Sequence, residues 1–299
     1  MRGKEKKRSA IWKETLIEKA LLASALVSVV VVVLIFAFLI SQGGSAFGRI
    51  SIIDFLLGTK WEPTSVIAPS FGTLPLLYGT MLVTSIAMVV SVPLGLMAAI
   101  YIAEVAYPLE KEILKPVIEL LSAVPSVIYG LFALVVLATW IQQLTGTSYR
   151  LNALNGGVIL AIMVLPTVVS LAEDAITAVP REYKEAAIAL GASNWETVRS
   201  VLLPSASSGI LAAIFLGFGR AVGETMAVLM ATGNVAAIGS ILEPTRTMTS
   251  TIAIETLEVD FGGLHYNTLF ALAIELFVIT FAFNYLADII GKRLRRMGR

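Results

Sequence analysis

The chain has 299 residues and a formal net charge of +1; 57% of its residues are hydrophobic and 14% charged, with a mean hydropathy of +0.85. A soluble domain carries about 25% charged residues, so this composition excludes an ordinary water-soluble enzyme and indicates an integral membrane protein. With no cysteine and one histidine, His265, the chain also lacks the means for disulfides, thiolate zinc sites, cysteine nucleophiles and multi-histidine metal centres.

A helix needs about 20 mainly apolar residues to cross a bilayer. Six segments are candidates in chain order: Ile17–Ile40, Leu76–Ile102, Ile113–Trp140 (with Pro116 and Pro125 inside), Gly156–Leu171 (interrupted by Pro166), Ala206–Ala231 and Thr268–Ile290. Proline and glycine within spans are tolerated when neighbouring helices satisfy the freed backbone groups, which indicates a packed bundle. The first apolar run exceeds the roughly 7–15 residues of a signal-peptide core, so it is expected to be a retained helix. Two connections are long. Gln42–Pro75 carries Gly43, Gly44, Trp61, Pro63 and Pro69; Asn234–Asn267 contains TSTIAIETLE, which suits a short helix.

Basic residues set the orientation. Placing both termini in the cytoplasm puts seventeen of the 22 Lys and Arg on that side, including the clusters at the two ends. Arg49, Lys60, Arg150 and Arg246 fall outside, and Arg220 lies within the fifth span. His265, in an outer loop, is read as incidental.

The connection between the fourth and fifth spans, EYKEAAIALGASNWETVRSVLLPSA (Glu182–Ala206), is too polar to sit in lipid. Glu182–Leu190 suits a helix, and Gly191 permits the backbone turn that ends one. Ser193 or Asn194 can cap a second helix, with Glu196 in its positive first turn, and Pro204 can open the next span. The expected product is a helix–turn–helix elbow outside the membrane.

In the fifth span, GFGRAVGETMAVLMATGN, Arg220 and Glu224 are four residues apart, so on a continuous helix they share a face and can pair. An arginine at membrane depth costs at least ~2.5–3.5 kcal/mol, so it faces the bundle interior or a water-filled path. Two readings follow. In one, the planar guanidinium receives an oxyanion and Glu224 orients it; in the other, the pair only locks helix packing. Thr84, Ser85, Ser122, Ser126 and Tyr129 are further polar groups within spans, and Glu119 and Glu275 are lone acids there.

Glu185-Ala186-Ala187, Gly191 after three residues, and Val201-Leu202-Leu203-Pro204 after nine more match the E-A-A-x3-G-x9-I-x-L-P pattern, with valine for isoleucine. This resembles the cytoplasmic EAA loop of ATP-binding-cassette (ABC) importer permeases. GRAVGETMAVLMATGN, FGTLPLLYGTMLVTSIAMVVSVPLG from Phe71, AVPSVIYGLFAL from Ala123 and RTMTSTIAIE from Arg246 look like phosphate-specific permeases. FLLGTKWEP (Phe55–Pro63) resembles the PstC-type subunit more than the PstA-type.

The resemblance implies an all-α, polytopic fold of six transmembrane helices, the type I ABC importer permease (MetI-like) fold, in the cytoplasmic (inner) membrane with both termini cytoplasmic. Residues 1–16 would be a basic tail, 17–75 the first helix and a long external loop, 76–291 the permease core with its coupling loop at 173–205, and 292–299 a second basic tail. The implied function is import of inorganic phosphate by alternating access, with sulfate or molybdate as alternative cargo and an ion-coupled carrier as the rival class. Arg220 and Glu224 would line the substrate path. Glu185, Ala186, Ala187, Gly191, Leu203 and Pro204 would couple to the ATPase. The implied partners are a PstA-type permease, two PstB-type ATPase subunits, a PstS-type external phosphate-binding protein and membrane lipid, with no nucleic acid. No cofactor is expected in this chain, since ATP and Mg belong to the ATPase. No catalytic residue is expected either: G-x-x-x-x-G-K-[ST], H-E-x-x-H and G-x-S-x-G motifs are all absent.

Overall fold

A computed structural model describes residues 2–297, and the side chains of residues 16–287 and 289–292. Most of the basic residues in the two expected tails, 1–16 and 292–299, lie outside the described side chains. Among the described residues six helical segments are long and apolar enough to cross a membrane: Leu16–Ala46, Leu74–Val105, Ser126–Thr145, Ala153–Thr177, Asn194–Gly223 and Leu264–Lys292.

In chain order, α1 (Arg2–Ala46) is followed by the short α2 (Ile52–Leu57) and a two-stranded antiparallel hairpin, β1 (Trp61–Glu62) against β2 (Ser70–Phe71). Next come α3 (Leu74–Ile100), extended by a π-helical turn to Val105, and α4 (Pro108–Ala123). The third span joins α5 (Ser126–Phe132) and α6 (Ala138–Thr145) through another π-helical turn. The remaining helices are α7 (Ala153–Thr177), α8 (Arg181–Ala189), α9 (Asn194–Thr197), α10 (Leu203–Gly223), α11 (Met226–Ala231), α12 (Met248–Glu255) and α13 (Leu264–Met297).

The centre is α7. In its apolar stretch 61% of residues are buried, against none in the first span. Asn152 caps it, its side chain accepting the Asn155 N–H at 2.9 Å. Buried Val164 and Val168 join Val83 and Ala87 of α3 and Ala221 of α10 in one cluster. Glycines make the approach close: a Cβ at Gly95 would fall 2.8 Å from Val168, and one at Gly217 3.0 Å from it. Such small-residue contacts bring helices together in lipid, where apolar burial gives no net drive. The first span packs at the edge against α13, with Phe36 edge-on to Phe277 at 4.3 Å and Gly43 pressed on Ala271.

Three span expectations change. The third span begins at Ser126, because Pro125 forces Val124 into an extended conformation (ψ 127°). Residues 108–123 form the separate α4, which buries no residue, so Glu119 lies on this helix and not within a span. Pro166 does not shorten the fourth span, which runs the full length of α7. The fifth is not continuous to Ala231: Gly223 ends α10, Glu224 is extended, and α11 starts anew at Met226.

Candidate functional site

Two parts of the molecule carry the chemistry that the sequence singles out. The first is the elbow. Helix α8 follows Pro180 and ends where the Leu190 N–H bonds the Ala186 and Ala187 carbonyls, each at 3.2 Å. Gly191 then takes φ +90°, a conformation that a side chain resists, and the Ala192 N–H returns to Ala187 O at 3.1 Å. Two residues on, Ser193 and Glu196 form a reciprocal capping box. The Ser193 N–H donates to Glu196 Oε2 at 2.8 Å and the Glu196 N–H to Ser193 Oγ at 3.3 Å. A π-helical turn over Val198–Leu202 carries the chain into α10, so Pro204 sits near the start of a helix that continues the elbow.

The elbow is tied to the spans by charge. Lys184 Nζ pairs with Glu104 Oε2 in the π-turn ending the second span. Nearby, Lys115 of α4 lies 2.7 Å from Glu173 and 3.4 Å from Asp174. The hydrogen bond to Glu173, against the opposing effect of burial, holds the Lys115 ammonium above its ordinary pKa. On the outer surface of the elbow Tyr183, Ile188, Leu190 and Trp195 are exposed, Leu190 at 90%. Of the expected coupling residues, Glu185, Ala186, Gly191 and Pro204 are exposed, and Ala187 and Leu203 are half-buried. Large apolar side chains exposed on a projecting element can serve as a protein contact.

The second part surrounds Arg220. Arg220 and Glu224 do not pair, contrary to expectation, because the helix breaks between them. Arg220 Nη1 instead donates to Thr167 Oγ1 of α7 at 2.9 Å, and the guanidinium is exposed. The Glu224 carboxylate turns the other way and accepts the Ala227 N–H at 3.2 Å, serving the start of α11. The Glu224 carbonyl accepts from Thr249 Oγ1 of α12 at 2.8 Å, and Asn155 Nδ2 donates to Ala231 O at 2.9 Å. The break is therefore clamped by α7 and α12, and among the described residues the Arg220 guanidinium has only a neutral hydroxyl partner. An exposed guanidinium with spare donors can receive a tetrahedral oxyanion.

The far end of the bundle holds a network that the sequence did not announce. Glu255 accepts from Trp61 Nε1 at 3.1 Å and Arg246 Nη1 at 2.8 Å, and its other oxygen lies 2.7 Å from His265 Nε2. These contacts tie the hairpin to α12 and α13 beside a cavity of about 830 Å³. His265 is thus a structural partner, not incidental. Sequence reasoning also missed Thr167, Thr249 and Asn155. Their partners lie 53, 25 and 76 residues away, and no local pattern marks them. Of the other polar residues within spans, Tyr129 donates its hydroxyl to Leu121 O, and Glu275 Oε1 accepts from Thr73 Oγ1.

A helical bundle of six spans, with a capped elbow on one face and a clamped helix break inside, defines a membrane-transport subunit. The chain belongs to the family of binding-protein-dependent transport system inner membrane components, whose model matches residues 91–296. Its members are non-catalytic ABC importer permeases, which work with an ATPase and a substrate-binding protein and carry no cofactor of their own. The chain is 35% identical to a probable ABC transporter permease protein, YqgH, of Bacillus subtilis, over 91% of this chain and 88% of that one. It is 37% identical to the phosphate transport system permease protein PstC of Mesorhizobium japonicum, over 80% of this chain and 77% of that one. PstC of Haemophilus influenzae is 33% identical over 90% of each chain. Among solved structures, an inward-facing MetNI methionine ABC transporter matches with a TM-score of 0.56 at 19% identity, covering 75% of this chain and 94% of that one. At that identity the match shows the fold: a MetI-type, all-α permease with several membrane passes.

Proposed function

We propose that this chain is the PstC-type permease of a phosphate importer, with both termini and the elbow in the cytoplasm. The carrying observation is Arg220, an exposed cation at a clamped helix break whose side chain, among the described residues, bonds only a neutral threonine. Relatives named as phosphate transport permeases support the cargo. With both termini and the elbow on one side, seventeen of the 22 basic residues of the sequence fall there, which supports the orientation.

On this reading residues 76–291 form the permease core, and 173–205 the coupling loop. A PstA-type permease completes the path, two PstB-type ATPase subunits seat the elbows, and a PstS-type binding protein delivers phosphate to the outer loops. ATP and Mg are used by the ATPase alone. Closure of the ATPase pair pulls on Glu185, Ala186, Ala187 and Gly191. Because α9 runs through Leu203 and Pro204 into α10 without a break, the pull reaches Arg220 as a movement of one helix. Alternating access follows if Arg220 meets the anion differently in the two states, since only differential affinity can shift the equilibrium. Glu224 lines the path by fixing the break.

The test is labelled-phosphate uptake into proteoliposomes holding this chain, its partner permease, ATPase and binding protein. ATP-dependent uptake that excess sulfate does not reduce is expected. Uptake blocked by sulfate would move the cargo to another oxyanion, and uptake driven by an ion gradient without ATP would replace the reading with a carrier.

A further inference from the structure

Four basic residues lie on the face opposite the elbow. Arg246 is spent on Glu255 and Asn234 O, and Arg150 on the Leu134 and Val135 carbonyls. Arg49 and Lys60 have no hydrogen-bonding or ionic side-chain partner among the described residues, and both line one cavity of about 490 Å³. Two unpaired cations on the face disfavoured for basic residues, sharing one cavity, call for an anion.

The other polar groups of that cavity fit one. Ser51, Thr59 and Ser70 are among its lining residues. The Ser70 Oγ is buried without a partner, and Ser51 makes no capping bond to α2. A buried hydroxyl left without a partner is destabilising until something meets it. Asp54, also in the wall and without a side-chain partner among the described residues, leaves the cavity with one net positive charge and an acceptor.

Position identifies the anion's carrier. Arg49 follows three residues after Ala46, where the first membrane-crossing helix ends. Between Arg49 and Lys60 runs α2, whose Ile52, Ile53 and Leu57 are each more than half exposed. A cationic pocket beside exposed aliphatic side chains at the end of a span lies where head groups meet acyl chains.

We propose that this cavity binds the phosphate of an anionic phospholipid head group. Arg49 and Lys60 would hold the phosphate oxygens, with donation from the Ser70 hydroxyl, while Asp54 would accept from a head-group hydroxyl. The α2 side chains would lie against the acyl chains. The inference rests on the proposed orientation for the scarcity of basic residues expected on this face and for the leaflet used, namely the outer one.

The test is native mass spectrometry of the detergent-purified complex titrated with phosphatidylglycerol, with phosphatidylcholine, and, in a lipid-depleted sample, with inorganic phosphate. The wild-type complex is expected to retain phosphatidylglycerol over phosphatidylcholine. R49Q/K60Q is expected to lose at least about tenfold of that retention, as removal of two charge-assisted contacts implies. The charge-conserving R49K/K60R should keep it, which separates loss of binding from loss of folding. Inorganic phosphate bound by the wild type and lost in R49Q/K60Q, without lipid preference, would keep the phosphate site and overturn the lipid as its source. Equal retention of every probe by wild type and R49Q/K60Q would overturn the proposal. The readout needs neither ATP nor transport, so it stands or falls separately from phosphate import.

Discussion

The elbow and the Arg220 break are both interruptions of helix, yet they are held in opposite ways. The elbow is closed by bonds spanning three to five residues: Leu190 and Ala192 back to Ala186 and Ala187, and Ser193 with Glu196. The break is held from afar, by Thr167, Thr249 and Asn155 on other helices. The difference suits the two tasks proposed for them. A handle gripped by another protein must keep its shape while the bundle moves, and local bonds travel with it. A substrate path that opens to the two sides in turn would have to change when the bundle rearranges, and the bonds from α7 and α12 are the ones that such a rearrangement would alter.

Of the changes to the two supports, breaking the local one should cost most. Gly191→Val puts a β-branched side chain at φ +90°, where even an ordinary residue is strained by roughly 1–2 kcal/mol. The elbow turn should be lost, with ATPase recovery on affinity purification and phosphate uptake both down about tenfold or more. Normal ATPase recovery would show that the turn is not what the ATPase grips. A smaller effect is expected from Thr167→Val, which removes the hydroxyl that positions Arg220. The KM for uptake should rise about fivefold, as loss of a hydrogen bond worth on the order of 1 kcal/mol implies, with ATPase recovery unchanged. An unaltered KM would detach Thr167 from the path. Smallest is Ser193→Ala. A helix cap is worth roughly 1 kcal/mol, and the Gly191 turn remains, so uptake should fall less than about threefold. A complete loss would mean that the capping box alone holds the elbow.

What can be read from sequence divides along the same line. Gly191, the serine–glutamate spacing and the EAA pattern describe interactions contained in a few neighbouring turns of chain, so the elbow is legible in its own residues. The spans are legible too, because each carries its own apolar run. Arg220 stands out as a charge among apolar residues, but its partner does not. Spacing four suggests a pair only where the helix continues, and Gly223 with the extended Glu224 stops it. The amphipathic α4 merges with the third span in the sequence because both are apolar enough to pass together, and Pro125 is the marker of their boundary. The Glu255 network draws on three separate segments and leaves no local trace at all.

The role given to Arg220 can be tested most directly by removing its charge. Arg220→Gln keeps a donor and lies away from the elbow. In proteoliposomes with the full complex, ATP hydrolysis and phosphate uptake would be measured on the same sample. Hydrolysis stimulated by the binding protein should continue while uptake falls to background, because the handle is intact and the anion contact is gone. Uptake at the wild-type rate would contradict this role and leave Arg220 a packing residue.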